Sequence, residues 1–303
     1  MWTFGGTFFQ GTARNVNPEI LSAFQDVIVV TFNYRLGVLG FLAKFRSELK
    51  GNYALFDQRL VIQWVKDNIA AFGGDGSSIT LYGQSSGAFM VTYQTVSPLN
   101  NASLFQRAIT QSGSGLSIQA ATVNPDPVAD QIISSVDCTN ASSLLDCLQN
   151  VPMFQLLLAT TSPTGSLLFT PVVDGDIIAA DLPLQIASFV SSGYTTNFTM
   201  NLGNFGDYDL MSGWNTNDGS TFIDVIAYVN SLFTRDSIGS GVSEQVLLAA
   251  LEAIADPESR QSSFLRIFLN TLINFNLNTA AASNTGGESD GRLRLQAFMD
   301  ISG

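Results

Sequence analysis

Gly83-Gln84-Ser85-Ser86-Gly87 is the stretch of this chain with the composition for nucleophilic chemistry. A β-branched and aromatic run, Ile79-Thr80-Leu81-Tyr82, precedes it, and a mostly apolar stretch, Ala88 to Val96, follows. That order is strand, tight turn, helix. Such a turn forces its central serine into a strained backbone geometry that lifts the hydroxyl above the end of a sheet. The flanking glycines are required because a Cβ there would collide with the neighbouring strand and helix. A serine hydroxyl is a weak nucleophile at neutral pH, so it needs a positioned base and donors for the oxyanion that forms. Histidine is the usual base because its pKa lies near working pH. The sequence contains no histidine in its 303 residues.

The elements that must position this serine can be read on either side. Val27 to Asn33 is almost continuously apolar, as for a parallel strand buried on both faces. Asp57 to Phe72 is amphipathic, with Leu60, Trp64, Val65, Ile69 and Phe72 expected on one buried face and Gly73-Gly74 ending the helix. Phe105 to Thr110 reads as the next strand. Between 124 and 184 the chain turns to proline-punctuated loops and short helices. Helical patterns resume at 222–233, 244–255 and 264–277, and Arg292 to Phe298 alternates like a late strand.

Composition narrows the classes. A hydrophobic fraction of 46% with 13% charged residues is that of a globular chain. Net charge −12 argues against a nucleic-acid partner. No apolar run reaches the roughly 18 to 20 residues of a membrane span. No basic and apolar signal segment opens the chain. No metal-ligand cluster or phosphate-cradling loop is visible, so neither a metal nor a cofactor is expected.

Several segments besides the serine turn carry a family likeness. Asn33-Tyr34-Arg35-Leu36-Gly37-Val38-Leu39-Gly40-Phe41, Gly51-Asn52-Tyr53-Ala54-Leu55-Phe56-Asp57-Gln58, Phe72-Gly73-Gly74-Asp75, Gln111-Ser112-Gly113-Ser114 and Phe169-Thr170-Pro171-Val172-Val173-Asp174-Gly175 occur in order. With the serine turn they resemble the carboxylesterase type-B, or cholinesterase-like, family. The likeness is weaker beyond about residue 176.

The resemblance implies an α/β-hydrolase, a mostly parallel sheet with helices on both faces, here a partial domain over 1–303 without its first strands and its last. Residues 124–184 would form a lid and acyl-pocket region. Ser85 would be the nucleophile attacking a small-molecule carboxylic ester. Gly5-Gly6-Thr7-Phe8 stands at the family's oxyanion loop, so the N–H groups of Gly6, Thr7 and Ser86 would hold the oxyanion, with Thr7 crowding the hole where the family has glycine. Gly165 and Leu167 fall at acyl-pocket positions. Gln84 replaces an acidic residue beside the nucleophile, which weakens the case for a choline ester. The acid segment matches Leu202 to Asp209 with Tyr208 at the glutamate position. Asp207 or Asp209 would then serve, with Asp209 preferred.

Arg35 and Asp75 match a structural ion pair of the family, and Cys138 and Cys147 a disulfide closing a small loop. Sequons at Asn101, Asn140 and Asn197 add to an expectation of a secreted or extracellular parent protein, although this chain shows no signal peptide. Truncation within the domain and decay to a non-catalytic adhesion or ligand-binding domain, with a protein partner, are the two explanations for the absent histidine.

Overall fold

The structure, a computed structural model, describes residues 1–116, 120–162, 165–166, 169–191 and 200–215. Met1–Ser162 and Ser166–Gly213 make one compact unit. The expected helices at 222–233, 244–255 and 264–277 and the strand at 292–298 lie outside the described residues.

Four parallel strands form the sheet of this unit, in the order β1 (Trp2–Thr3), β2 (Thr80–Gln84), β3 (Arg107–Gln111) and β4 (Asp209–Gly213). Trp2 pairs with Tyr82 and Thr3 with Gly83. Thr80, Arg107 and Asp209 lie level at one end of the strands; Gln84, Gln111 and Gly213 lie level at the other. All the chemistry-bearing turns described below leave that second end.

Alternation along β2 explains which face is covered. Leu81 and Gly83 are buried, while Thr80 and Tyr82 are half-buried and Gln84 is exposed. Leu81 and Ala108 pack with Ile62, Val65, Val91 and Phe105 in one apolar cluster. On the other face Trp2, Tyr82 and Ile109 are half-buried and Met211 is exposed.

Two short helices, α1 (Glu19–Gln25) and α2 (Gly37–Phe41), come first, and the helix after β2, α4 (Ser86–Val96), is buried at every position except Phe89. Its polar residues Thr92, Gln94 and Thr95 are buried with the apolar ones and are satisfied, the hydroxyls donating to Ala88 O and Thr92 O and the Gln94 amide to Leu55 O. The long helix Tyr53–Asn68 (α3) continues as a 3-10 turn, Ile69–Phe72, and ends at Gly73 with φ 82°. The termination is as expected, but the buried face is not. Ala54, Leu55, Gln58, Ile62, Val65 and Ile69 are buried, whereas Leu60, Trp64 and Phe72 are 50 to 70% exposed. Gln58 is a polar residue that the hydrophobic pattern passes over. Its amide donates to Thr3 Oγ1 at 2.9 Å and its carbonyl accepts from Gln94 of α4 at 3.0 Å, which satisfies the group in the core.

The apolar run at Val27 to Asn33 is also less buried than a two-sided strand. Val27 and Ile28 are exposed. Thr31 makes an isolated parallel bridge to Trp2, and Val30 O accepts the Trp2 N–H at 2.8 Å. With β1 only two residues long, this segment has little strand to pair with. Between residues 124 and 184 the described elements are short helices, Asp126–Ser135, Leu144–Asn150, Met153–Ala159 and the start of Leu182–Ser191, with two-residue strands at Thr161–Ser162 and Gly165–Ser166. Val172 and Asp174 dock onto buried Asn52, whose amide donates to Val172 O and Asp174 Oδ2 and whose carbonyl accepts the Val172 N–H.

Candidate active site

Ser85 is the first residue beyond β2, with φ 55° and ψ −128°, and α4 begins at the next residue. This is a torsion pair that an L-residue adopts only when its surroundings over-determine it. The surroundings are visible in the glycines. A Cβ on Gly83 would lie 2.4 Å from Gly87 O, and one on Gly87 would lie 2.2 Å from Thr3 O. Strand and helix therefore approach as closely as bare backbone allows, and the serine between them carries the turn. Its N–H donates to Gln111 O at 2.9 Å, and its side chain is half-buried.

The loop after β1 reaches the same place. A Cβ on Gly5 would lie 2.9 Å from Ser85 Cβ. Gly6 takes φ 124°, Thr7 φ 55° and Phe8 φ 62°. The two non-glycine residues cost about 1 to 2 kcal/mol each in backbone strain. Phe9 and Gln10 N–H both donate to Gly6 O at 3.0 Å, turning the loop, and the Thr7 hydroxyl donates to the same carbonyl at 2.7 Å. Thr7 is exposed, and its strain lies in its backbone. No acceptor among the described residues takes the N–H of Gly6 or Thr7, and Ser86 N–H, opening α4, has no intrahelical acceptor. The N-terminal end of an 11-residue helix also favours negative charge beside Ser85.

Phe4, at the start of this loop, is buried and stacks on Tyr34 with ring centroids 4.3 Å apart. The Tyr34 hydroxyl donates to Phe4 O at 2.6 Å. Burial raises the Tyr34 pKa well above that of a free phenol, and a hydrogen bond with Ser86 opposes the shift in part. Tyr34 and the Ser86 side chain both lie within segments readable as motifs, yet no spacing rule marks a tyrosine 52 residues before a serine as its neighbour.

The preferred acid and the ion pair stand elsewhere than expected. Asp209 is not beside Ser85. It opens β4, level with Arg107 and Thr80, so it stands roughly 13 Å along the strands and about 10 Å across them from the Ser85 end. Its side chain is exposed and 3.9 Å from Arg107 Nε. Tyr208, expected at the acid position, is a core residue stacked on Phe105 at 4.5 Å. Asp207, the other candidate, precedes it in the 3-10 turn Gly203–Asp207, before the strand starts.

Arg35 pairs with Asp57, not Asp75. Its Nη2 and Nε donate to the two carboxylate oxygens of Asp57 at 2.6 and 2.8 Å, and its own N–H adds a bond at 3.0 Å. The Asp57 hydrogen bonds, ahead of its charge, raise the Arg35 pKa. Asp75 instead accepts the N–H and hydroxyl of Ser77 in a local turn, which holds its carboxyl below the ordinary range. A carboxylate two residues away needs no chain excursion to be satisfied, whereas Asp57 presents both oxygens from the first turns of α3.

Cys138 and Cys147 are joined, with Cα atoms 5.9 Å apart. Closing a ring of about ten residues contributes roughly 2 to 3 kcal/mol in the chain-entropy account. Asn101 and Asn140 are exposed, while Asn197 and Leu167 lie outside the described residues. Gly165 belongs to a two-residue strand, Gly165–Ser166. No group of three or more His, Cys, Asp or Glu side chains that could hold a metal occurs among the described residues. No described helix is long and apolar enough to cross a membrane.

The chain is 39% identical over 241 residues to a bile salt-activated lipase of Bos taurus, covering 74% of this chain and 38% of that protein. It is 38% identical over 243 residues to the bile salt-activated lipase of Homo sapiens, covering 74% and 30%. It is 36% identical over 227 residues to neuroligin-3 of Homo sapiens, covering 74% and 25%. The aligned region is thus at most about two-fifths of the length of these relatives. The carboxylesterase family matches residues 1–280. With that match spanning most of its length, and with the parallel sheet and serine turn of an α/β-hydrolase, the chain belongs to the carboxylesterase family.

Proposed function

We propose that this chain carries the nucleophile and oxyanion donors of a serine carboxylic-ester hydrolase, and that the base is not among its 303 residues. Ser85 Oγ attacks the ester carbonyl. The N–H groups of Gly6, Thr7 and Ser86 receive the oxyanion, the alcohol leaves with a proton, and water releases the acyl group from Ser85. The observation that carries the reading is the Ser85 backbone, φ 55° and ψ −128°, at the sheet end where Gly5 comes within van der Waals range of its Cβ. A disulfide in the fold and exposed sequon asparagines support a parent protein that matures in an oxidising compartment.

Without a base, turnover should be slower by about a millionfold than in a complete triad. The test is hydrolysis of a short-chain aryl ester by the chain and by Ser85→Ala, with and without added imidazole as an external base. The expected result is no difference between the two proteins in buffer and a Ser85-dependent increment with imidazole. Equal rates at every imidazole concentration overturn the proposal and favour the second reading, a non-catalytic binding domain, for which the absence of histidine speaks.

A further inference from the structure

The oxyanion turn has an unusual construction. Between Phe4 and Phe8 it contains two consecutive non-glycine residues in left-handed conformation, Thr7 and Phe8. Its middle, Gly5 to Thr7, is half-buried to exposed, whereas Phe4 and Phe8 are each 3% exposed. A turn of this kind needs its ends fixed, or the strained torsions relax and the N–H groups lose their aim.

Both ends are fixed by hydroxyl groups. Phe4 O accepts the Tyr34 hydroxyl at 2.6 Å, and Phe8 N–H donates to Ser86 Oγ at 3.3 Å. The Tyr34 hydroxyl gives its proton to Phe4 O, and a Ser86 lone pair takes the Phe8 N–H. Ser86 and Tyr34 are 2 and 6% exposed, so water does not compete for these bonds.

We propose that the side-chain hydroxyl of Ser86, acting with Tyr34, is a positioning group that holds the Phe4–Phe8 turn against Ser85. This is separate from any role of the Ser86 N–H toward the oxyanion. Because Ser86 follows Ser85 directly at the start of α4, the clamp ties the donors to the nucleophile itself. A buried Phe8 N–H without its acceptor would not stay in place. The catalytic part of the inference rests on the esterase reading above.

The test uses the whole chain as wild type, Ser86→Ala, Tyr34→Phe and the double variant. Ser86→Ala keeps the backbone N–H and removes only the hydroxyl. Hydrogen exchange of the Phe8 amide should be about tenfold faster or more in Ser86→Ala, with α3 amides unchanged. The imidazole-assisted, Ser85-dependent rate should fall about tenfold at unchanged KM. The double variant should lose scarcely more than Ser86→Ala, since both act through one clamp. Phe8 exchange at the wild-type rate overturns the clamp. Faster Phe8 exchange with a wild-type Ser85-dependent rate overturns the positioning role and leaves a purely structural bond. If wild type shows no Ser85-dependent rate, the esterase reading fails, and Phe8 exchange alone decides the clamp. Tyr34→Phe supplies the same readout should Ser86→Ala fold poorly.

Discussion

Asp57 and Asp75 are carboxylates with similar prospects in sequence and different work in the fold. Asp57 meets the Arg35 guanidinium with both oxygens, and the same guanidinium lies over the Tyr53 ring at 5.3 Å. The Arg35 side chain is 48% exposed, so water screens the pair and its contribution is modest. Asp57→Ala should lower stability by about 1 kcal/mol in urea denaturation, given the bidentate geometry and the exposure. Asp75→Ala should leave the midpoint where it is and alter only the turn at Ser77. A larger loss for Asp75→Ala than for Asp57→Ala would contradict the observed pairing. The Arg35 partner was not legible because Asp57 and Asp75 both lie in the matched segments, and nothing in their spacing shows that Asp75 satisfies itself locally at Ser77. The same failure displaced the acid residue. Leu202-Gly203-Asn204 resembles the family segment, yet it is a 3-10 turn ahead of β4, and only strand register reveals that Asp209 stands at the wrong end.

The junction of β1, β2 and α4 is where local sequence spoke most clearly. Glycine on both sides of Ser85, after a β-branched run and before an apolar one, admits few geometries, and the observed one leaves no space for a Cβ at either glycine. Gly87→Ala should cost roughly 3 kcal/mol, since a methyl group 2.2 Å from Thr3 O must push the helix off the strand. Gly206→Ala, where a Cβ meets nothing within 4 Å, should stay within about 0.5 kcal/mol and serves as the control. Thermal or urea unfolding of the two variants checks both; equal losses would mean the junction is looser than described. The α3 period predicted a helix and its stop correctly but rotated its buried face. Leu60, Trp64 and Phe72 outweigh Gln58 in any hydropathy pattern, while in the fold Gln58 is held by Thr3 and Gln94, a tertiary fact without a periodic signature.

Among the described residues, Tyr34, Tyr93 and Tyr208 are buried tyrosines that make stability depend on pH. Burial raises the pKa of Tyr34 and Tyr93, and raises that of Tyr208 to about 12, with Asp207 adding to the last shift. Each is neutral in the folded protein at pH values where the unfolded phenol, near pKa 10, has already ionised. The unfolded state then binds fewer protons than the folded one, so stability falls as pH rises. The loss should begin near pH 10 and steepen toward about pH 12, at roughly 1.4 kcal/mol per pH unit for each tyrosine still protected. Urea midpoints measured between about pH 9 and pH 11.5 check this, and Tyr208→Phe should flatten the dependence. A flat profile would mean that these phenols ionise as readily folded as unfolded. At this scale the sequence made the fold class and family legible through several motifs in order.

The level ends of β2, β3 and β4 at Gln84, Gln111 and Gly213 have a further consequence. Strands that run the same way and stop together send their outgoing segments to one rim, and the loop after β1 opens on it as well. Insertions and deletions in those segments can therefore reshape what approaches Ser85 without shifting a single hydrogen-bonded pair in the sheet. The opposite rim, where Thr80, Arg107 and Asp209 stand, can vary without touching the chemistry. Such a division makes the sheet a reusable chassis, with selectivity and load-bearing free to change at separate rates.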